Sequence, residues 1–221
     1  MLKFRHSLIS VFLLLSSCQG FTLLPPAASP LILPKTLLHC APPPTSAPSP
    51  TVSDVAIPTN LPSAKNMDYV PLATMLATGQ LAEADQFTRD ALIELAGSRE
   101  AGRTFVYFTE VKNIPETDLA TIERLWLKFS GGKFGYSVQR KIWLRQKEDF
   151  EKFCRKIGWS TMDGEVERKL KWFGASEFIY DVGKAPEGHL PLTSALRGTA
   201  LFKNLMTHPL WEGEDWREEP E

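Results

Sequence analysis

The chain has 221 residues, a formal net charge of −1 and three cysteines, at 18, 40 and 154. A near-neutral chain has no whole-protein field that favours nucleic acid. One cysteine (Cys154) and two histidines (His189 and His208) stand in the part that reads as folded, which excludes an internal disulfide there and argues against a Cys/His metal cluster.

Residues 1–20 read as a signal peptide. Lys3 and Arg5 precede the apolar run Leu8 to Leu15, which is too short for a membrane-spanning helix of ~20 residues. Cys18 and Gly20 supply small residues for a cleavage site; lipidation of Cys18 is the competing reading. Residues 21–66 carry eleven prolines, one acid (Asp54) and two bases (Lys35 and Lys65). Such a composition cannot pack a core and predicts a disordered segment. Its hydroxyls and scarce acids fit a plastid transit peptide, so the leader reads as bipartite, signal plus transit, of the kind used by complex red-lineage plastids. A secreted protein with a Pro-rich linker is the alternative.

Residues 67–210 read as one all-α domain, a compact helical bundle of about 150 residues. Leu72, Met75 and Leu76, then Leu81, Ala84, Thr88, Leu92 and Leu95, have helical spacing, with a break at Gly79 and an end at Gly97. Phe105 to Phe108 is a short strand or an extended link, and Pro115 ends what precedes it. Thr117 opens a helix carrying Leu119, Ile122, Trp126 and Phe129 on one face, stopped by Gly131 and Gly132. Ser137 is the expected N-cap of the next helix. Phe150, Phe153, Cys154 and Ile157 mark another, with Cys154 a core thiol. A last helix is expected from about Leu192 to Met206. Residues 211–221, rich in acids, read as a solvated tail.

No catalytic constellation is visible. The chain has no GxSxG, no phosphate-binding glycine loop and no Cys with a nearby His. Asp118 and Glu123 are five residues apart, off a common helical face. His189 in Gly188-His189-Leu190-Pro191 is better suited to orienting a turn by hydrogen bonds than to binding a metal. The run Leu125 to Gln139, LWLKFSGGKFGYSVQ, places Trp126, Leu127, Phe129, Phe134 and Tyr136 beside Lys128 and Lys133. Rings at helical spacing ordinarily form core, and Trp126 belongs there. Phe134 and Tyr136 stand in the turn and are the better ligand candidates. A broad apolar surface beside cations suits a flat apolar acid such as a tetrapyrrole. An apolar groove for a partner helix, in an adaptor with no pigment, reads the same way.

These residues resemble the genomes-uncoupled-four family, tetrapyrrole-binding activators of magnesium chelatase. The resemblance runs from Ala84-Asp85 with Thr88, through Asp118-Leu119, Ile122 and the fifteen-residue run, to Ile157-Gly158-Trp159 and Gly188-His189-Leu190-Pro191. Leu192 to Thr199, LTSALRGT, is similar to the plastid branch. The resemblance implies a cupped-hand helical domain that binds protoporphyrin IX and Mg-protoporphyrin IX, with no catalysis of its own and no protein-bound metal. It implies stimulation of magnesium chelatase in chlorophyll biosynthesis through the chelatase H subunit, a plastid location, and no nucleic-acid partner. Peripheral association with plastid membranes stays open. By position it assigns Leu127, Tyr136 and Val138 to an apolar palm flanked by Phe129 and Phe134. It assigns Arg197 to a covering loop-helix segment. Phe129 stands where the family usually has Tyr, Tyr136 where it has Phe, and Glu123 where it has Asp.

Overall fold

The computed structural model describes residues 57–164, 166–169, 177–193 and 199–217. It is mostly helical: α1 (Val70–Ala77), α2 (Leu81–Leu95), α3 (Glu116–Ser130), α4 (Tyr136–Arg145), α5 (Phe150–Lys156) and α6 (Thr199–Met206). Between α5 and α6 lies one small antiparallel hairpin, β1 (Ser160–Asp163) with β2 (Val166–Lys169), in which Ser160 faces Lys169 and Thr161 faces Arg168. The sequence pattern did not anticipate it. A four-residue strand shows too few alternations to stand out from a loop.

The helical spacing in the first third of the domain is met by α1 and α2. After α1, Gln80 N donates to Met75 O at 2.8 Å; after α2, Ser98 N donates to Ile93 O at 3.1 Å. Both are six-to-one closures that satisfy the helix-end carbonyls. Phe105 to Phe108 form no strand: an extended link leads into the 3-10 helix Phe108–Asn113. That turn packs against α6, while α1 packs on both α2 and α3.

α3 is the central helix. Leu119, Ile122, Leu125 and Trp126 on it are at most 2 % exposed. A second apolar centre joins α4, α5 and α6 through Trp143, Phe153, Trp159 and Phe202. Phe153 and Phe202 lie 4.5 Å apart between ring centroids. Burial of each such ring contributes about 1.5–3 kcal/mol. Cys154 is buried beside it as a thiol in no disulfide, as its place on the apolar face of α5 predicts. α5 begins at Asp149, whose carboxylate accepts from Glu151 N (3.1 Å) and Lys152 N (3.0 Å). These bonds hold its pKa below the usual carboxylate value.

Three boundaries differ from expectation. First, residues ahead of Met67, read as leader, belong to the fold: Ser63 Oγ donates to the buried Asp118 carboxylate at 2.5 Å, and Ala64 N does so at 2.9 Å. Thr121 Oγ1 also donates to Pro62 O at 2.7 Å. A buried carboxylate must find donors, and this stretch supplies them. Second, Leu192 and Thr193 are not helical, and α6 begins at Thr199; residues 194–198, Arg197 among them, lie outside the described residues. Third, within the segment read as an acidic tail, Trp216 is buried. Its ring meets Trp211 at 5.3 Å and its carbonyl accepts from Arg124 at 3.3 Å. The acids around it masked one large apolar anchor.

Candidate functional site

The run from Leu125 to Gln139 joins the end of α3 to the start of α4. Trp126 is fully buried, as its helical position predicts; its Nε1 donates to Thr88 Oγ1 at 3.0 Å. Gly131, at φ 62°, caps α3. Ser130 Oγ donates to Trp126 O (2.6 Å) and accepts from Phe134 N (2.9 Å), which folds the turn back onto the helix. Phe134 thereby meets Trp126 edge to face, with centroids 6.4 Å apart.

Ser137 does not cap α4. The helix starts two residues earlier, with Gly135 at the N-cap and Tyr136 the first helical residue. Its first amides are satisfied from a distance by Glu123, which accepts from Tyr136 N (2.6 Å) and Ser137 N (3.1 Å). A carboxylate at a helix N-terminus does the work of a local cap. Gly135 is required here: its φ is 140°, and a Cβ would lie 2.5 Å from Glu123 Oε1. Glu123 is fully buried. Desolvation outweighs the hydrogen bonds from residues 136 and 137 and pushes its carboxyl up to about 7.

The Gly188-to-Pro191 turn docks against this run. Gly188 N donates to Lys133 O (2.9 Å) and Gly135 N to Leu190 O (3.1 Å). Gln139 Nε2 donates to Gly188 O (3.0 Å) and Pro191 O (2.7 Å). His189 orients the turn as expected. Its Nε2 accepts from Ile179 N at 3.0 Å, which leaves Nδ1–H to donate to Ile157 O at 2.7 Å. Burial lowers its pKa, so the neutral ring is favoured. Further on, Leu192 N donates to Asp85 Oδ1 at 2.6 Å, and Asp85 also pairs with Arg89. Lys133, read as a free cation beside the rings, donates to Val182 O.

Leu127 and Phe129 are half-buried at the end of α3, with apolar surface still open beside the exposed Lys128. Phe134 and Tyr136, chosen because they stand in the turn, are fully buried instead. The turn folds over Trp126 and Glu123, so both rings lie beneath the surface. Among the described residues Tyr136 Oη has no hydrogen-bond partner, nor does the buried Thr193 Oγ1. Burial raises the phenol's pKa, with the Glu123 charge adding to the effect, and it stays protonated. Val138 is 7 % exposed and lines a cavity with Gly132 and Ser137. Arg197 lies outside the described residues. Sequence reasoning missed Glu123, Gln139 and Asp85. The signal available was a polar side chain at a position its helix buries. Among the described residues no group of three or more His, Cys, Asp or Glu is placed to hold a metal ion, and no helix is long and apolar enough to cross a membrane.

A helical domain whose central helix stops at a glycine turn, with a histidine-oriented loop clasped onto that turn, defines the class of protein. Residues 62–209 match the GUN4-like family, and the chain belongs to that family. It is similar to a solved structure of GUN4 from Chlamydomonas reinhardtii, at 45 % identity and TM-score 0.61, covering 72 % of this chain and 97 % of that one. It is 43 % identical to a Ycf53-like protein of Synechocystis over 71 % of this chain and 64 % of that protein. It is also 43 % identical to a chloroplastic tetrapyrrole-binding protein of Arabidopsis thaliana over 65 % of this chain and 55 % of that protein. The chain thus spans less than two thirds of the length of these two curated relatives.

Proposed function

We propose that this chain binds a tetrapyrrole, protoporphyrin IX or Mg-protoporphyrin IX, and stimulates magnesium chelatase in chlorophyll biosynthesis by acting with the chelatase H subunit. The observation that carries the reading is the family match over residues 62–209, which includes the whole of the Leu125-to-Gln139 run. The Arabidopsis relative, named a tetrapyrrole-binding protein, supports it.

On this reading Leu127 and Phe129 offer the apolar surface that meets the macrocycle, while Val138 lines the cavity along α4. Phe134 and Tyr136 form the floor beneath, and Arg197 pairs with a propionate. A macrocycle face needs a wide apolar contact, and its acids need a cation that forks onto carboxylate. Arg is better suited to that than Lys. The protein itself carries out no reaction; it presents or withholds the porphyrin. The plastid is the proposed location, reached through the bipartite leader. The chloroplastic Arabidopsis relative supports that placement.

The test is a fluorescence titration with deuteroporphyrin IX. Trp126, 6.4 Å from Phe134 under the proposed face, is a built-in reporter. Saturable quenching with a micromolar or tighter Kd, about 8 kcal/mol or more, is expected. No saturable quenching overturns the reading, and a pigment-free helical adaptor takes its place.

A further inference from the structure

The outer side of α4 and the C-terminal turns enclose a half-open cavity of about 520 Å³, within the ~300–1,000 Å³ typical of small-molecule sites. Ser137, Val138, Lys141, Leu144 and Arg145 line it along one continuous stripe of α4, at i, i+1, i+4, i+7 and i+8. Trp211 and Trp216 line it as well. Leu144 keeps 43 % of its surface exposed, unusual for a leucine beside two indoles.

The charges in the cavity are one-sided. Arg140, Lys141, Arg145 and Arg217 line it, against a single acid, Glu187. Two of these cations are engaged: Arg140 Nε donates to Met206 O at 2.9 Å, and Arg217 lies 5.1 Å over the Trp216 ring and pairs with Glu214 at 3.3 Å. Lys141 and Arg145 are exposed, and neither has an ion pair or side-chain hydrogen bond among the described residues. A concave, partly apolar wall with clustered positive charge focuses its field on an anion.

We propose that this cavity is a second ligand site, separate from the Leu127–Phe129 face, for a flat or elongated apolar molecule bearing one or two carboxylates. The apolar body lies between Leu144, Val138 and the two indoles. The carboxylates pair with Lys141 and Arg145 at the rim, Arg145 forking onto one of them. The choice of probe rests on the proposed function: deuteroporphyrin IX has this chemistry and carries the same two propionates as protoporphyrin IX, the ligand the chain is proposed to bind.

The experiment is a stoichiometric titration of the full chain with deuteroporphyrin IX and with its dimethyl ester, following Trp fluorescence and porphyrin absorbance. Two equivalents of the acid are expected per chain. The double variant Lys141→Glu/Arg145→Glu retains one, and Lys141→Ala/Arg145→Ala weakens the second at least tenfold. Both side chains are exposed, so far-UV circular dichroism and the Tm remain those of the parent. The ester fills the second site at least tenfold more weakly than the acid. A single equivalent that survives the charge reversal but is lost in Leu127→Glu overturns the second site and leaves the proposed function standing. A single equivalent with the opposite pattern supports the cavity and overturns the Leu127–Phe129 face. No binding at all overturns both.

Discussion

Glu123→Gln separates burial of a charge from capping of a helix. In the wild type the carboxyl is fully buried and pushed from 4.5 up to about 7. The native state therefore keeps a proton that the unfolded chain gives up across this window. The stability Glu123 contributes is full below about pH 4.5 and is lost as pH rises through 7. The gap between the two values is worth about 3 kcal/mol. Gln cannot ionise, so its stability lacks this slope, although its single oxygen can accept from only one of the two amides that Glu123 caps. Urea unfolding of both proteins at pH 5 and pH 8.5 measures it. At pH 5 the variant should be less stable by about 1–3 kcal/mol, because one of the two amides loses its acceptor, and between pH 5 and pH 8.5 the difference should move by about 2–3 kcal/mol in favour of the variant. The buried histidines have the opposite slope, but both proteins carry them and the difference removes them. A stability gap that does not change between the two pH values refutes the reasoning: the amides of Tyr136 and Ser137 would then compensate the buried charge fully.

Thr88→Val deletes the acceptor of Trp126 Nε1 and leaves a buried donor unpaired; a loss of about 1–3 kcal/mol is expected in chemical denaturation. For His189, burial lowers the pKa from 6.5. The stability it contributes is present above pH 6.5 and lost as pH falls below it, so His189→Gln should flatten the acid limb of the Tm–pH curve. Leu127→Glu adds a charge at a half-buried surface position, where it should lower porphyrin affinity at least tenfold, about 1.4 kcal/mol, while Tm changes by only a few degrees. Equal losses of affinity and stability would show that Leu127 serves the fold rather than a ligand.

Much of the fold was legible because the helices are amphipathic. Leu119, Ile122 and Trp126 recur at helical spacing on α3 and are buried together. Phe150, Phe153, Cys154 and Ile157 outline α5 equally well, with the end of the pattern just outside the helix. The candidate site was less legible. Glu123 stands on the same helix as these apolar residues and looks like a solvent-facing acid; only the approach of the Gly135 backbone makes it a cap. Lys133 reads as a free cation until its bond to Val182 O is seen. Asp85 suits a helix dipole in sequence, but it also holds Leu192, 107 residues away.

By itself, the sequence determined that the domain is helical, that helices end at Gly79, Gly97, Gly131 and Gly158, that Cys154 is core and that His189 orients a loop. Each depends on side chains a few positions apart, which local periodicity records. The tertiary structure alone decided that Phe134 and Tyr136 lie under the surface rather than on it, and that Trp216 anchors the acidic C-terminal stretch. It alone gathered Lys141, Arg145 and two tryptophans around one cavity. The reason is desolvation: whether a ring or a charge meets water depends on what packs over it, and those neighbours come from distant parts of the chain.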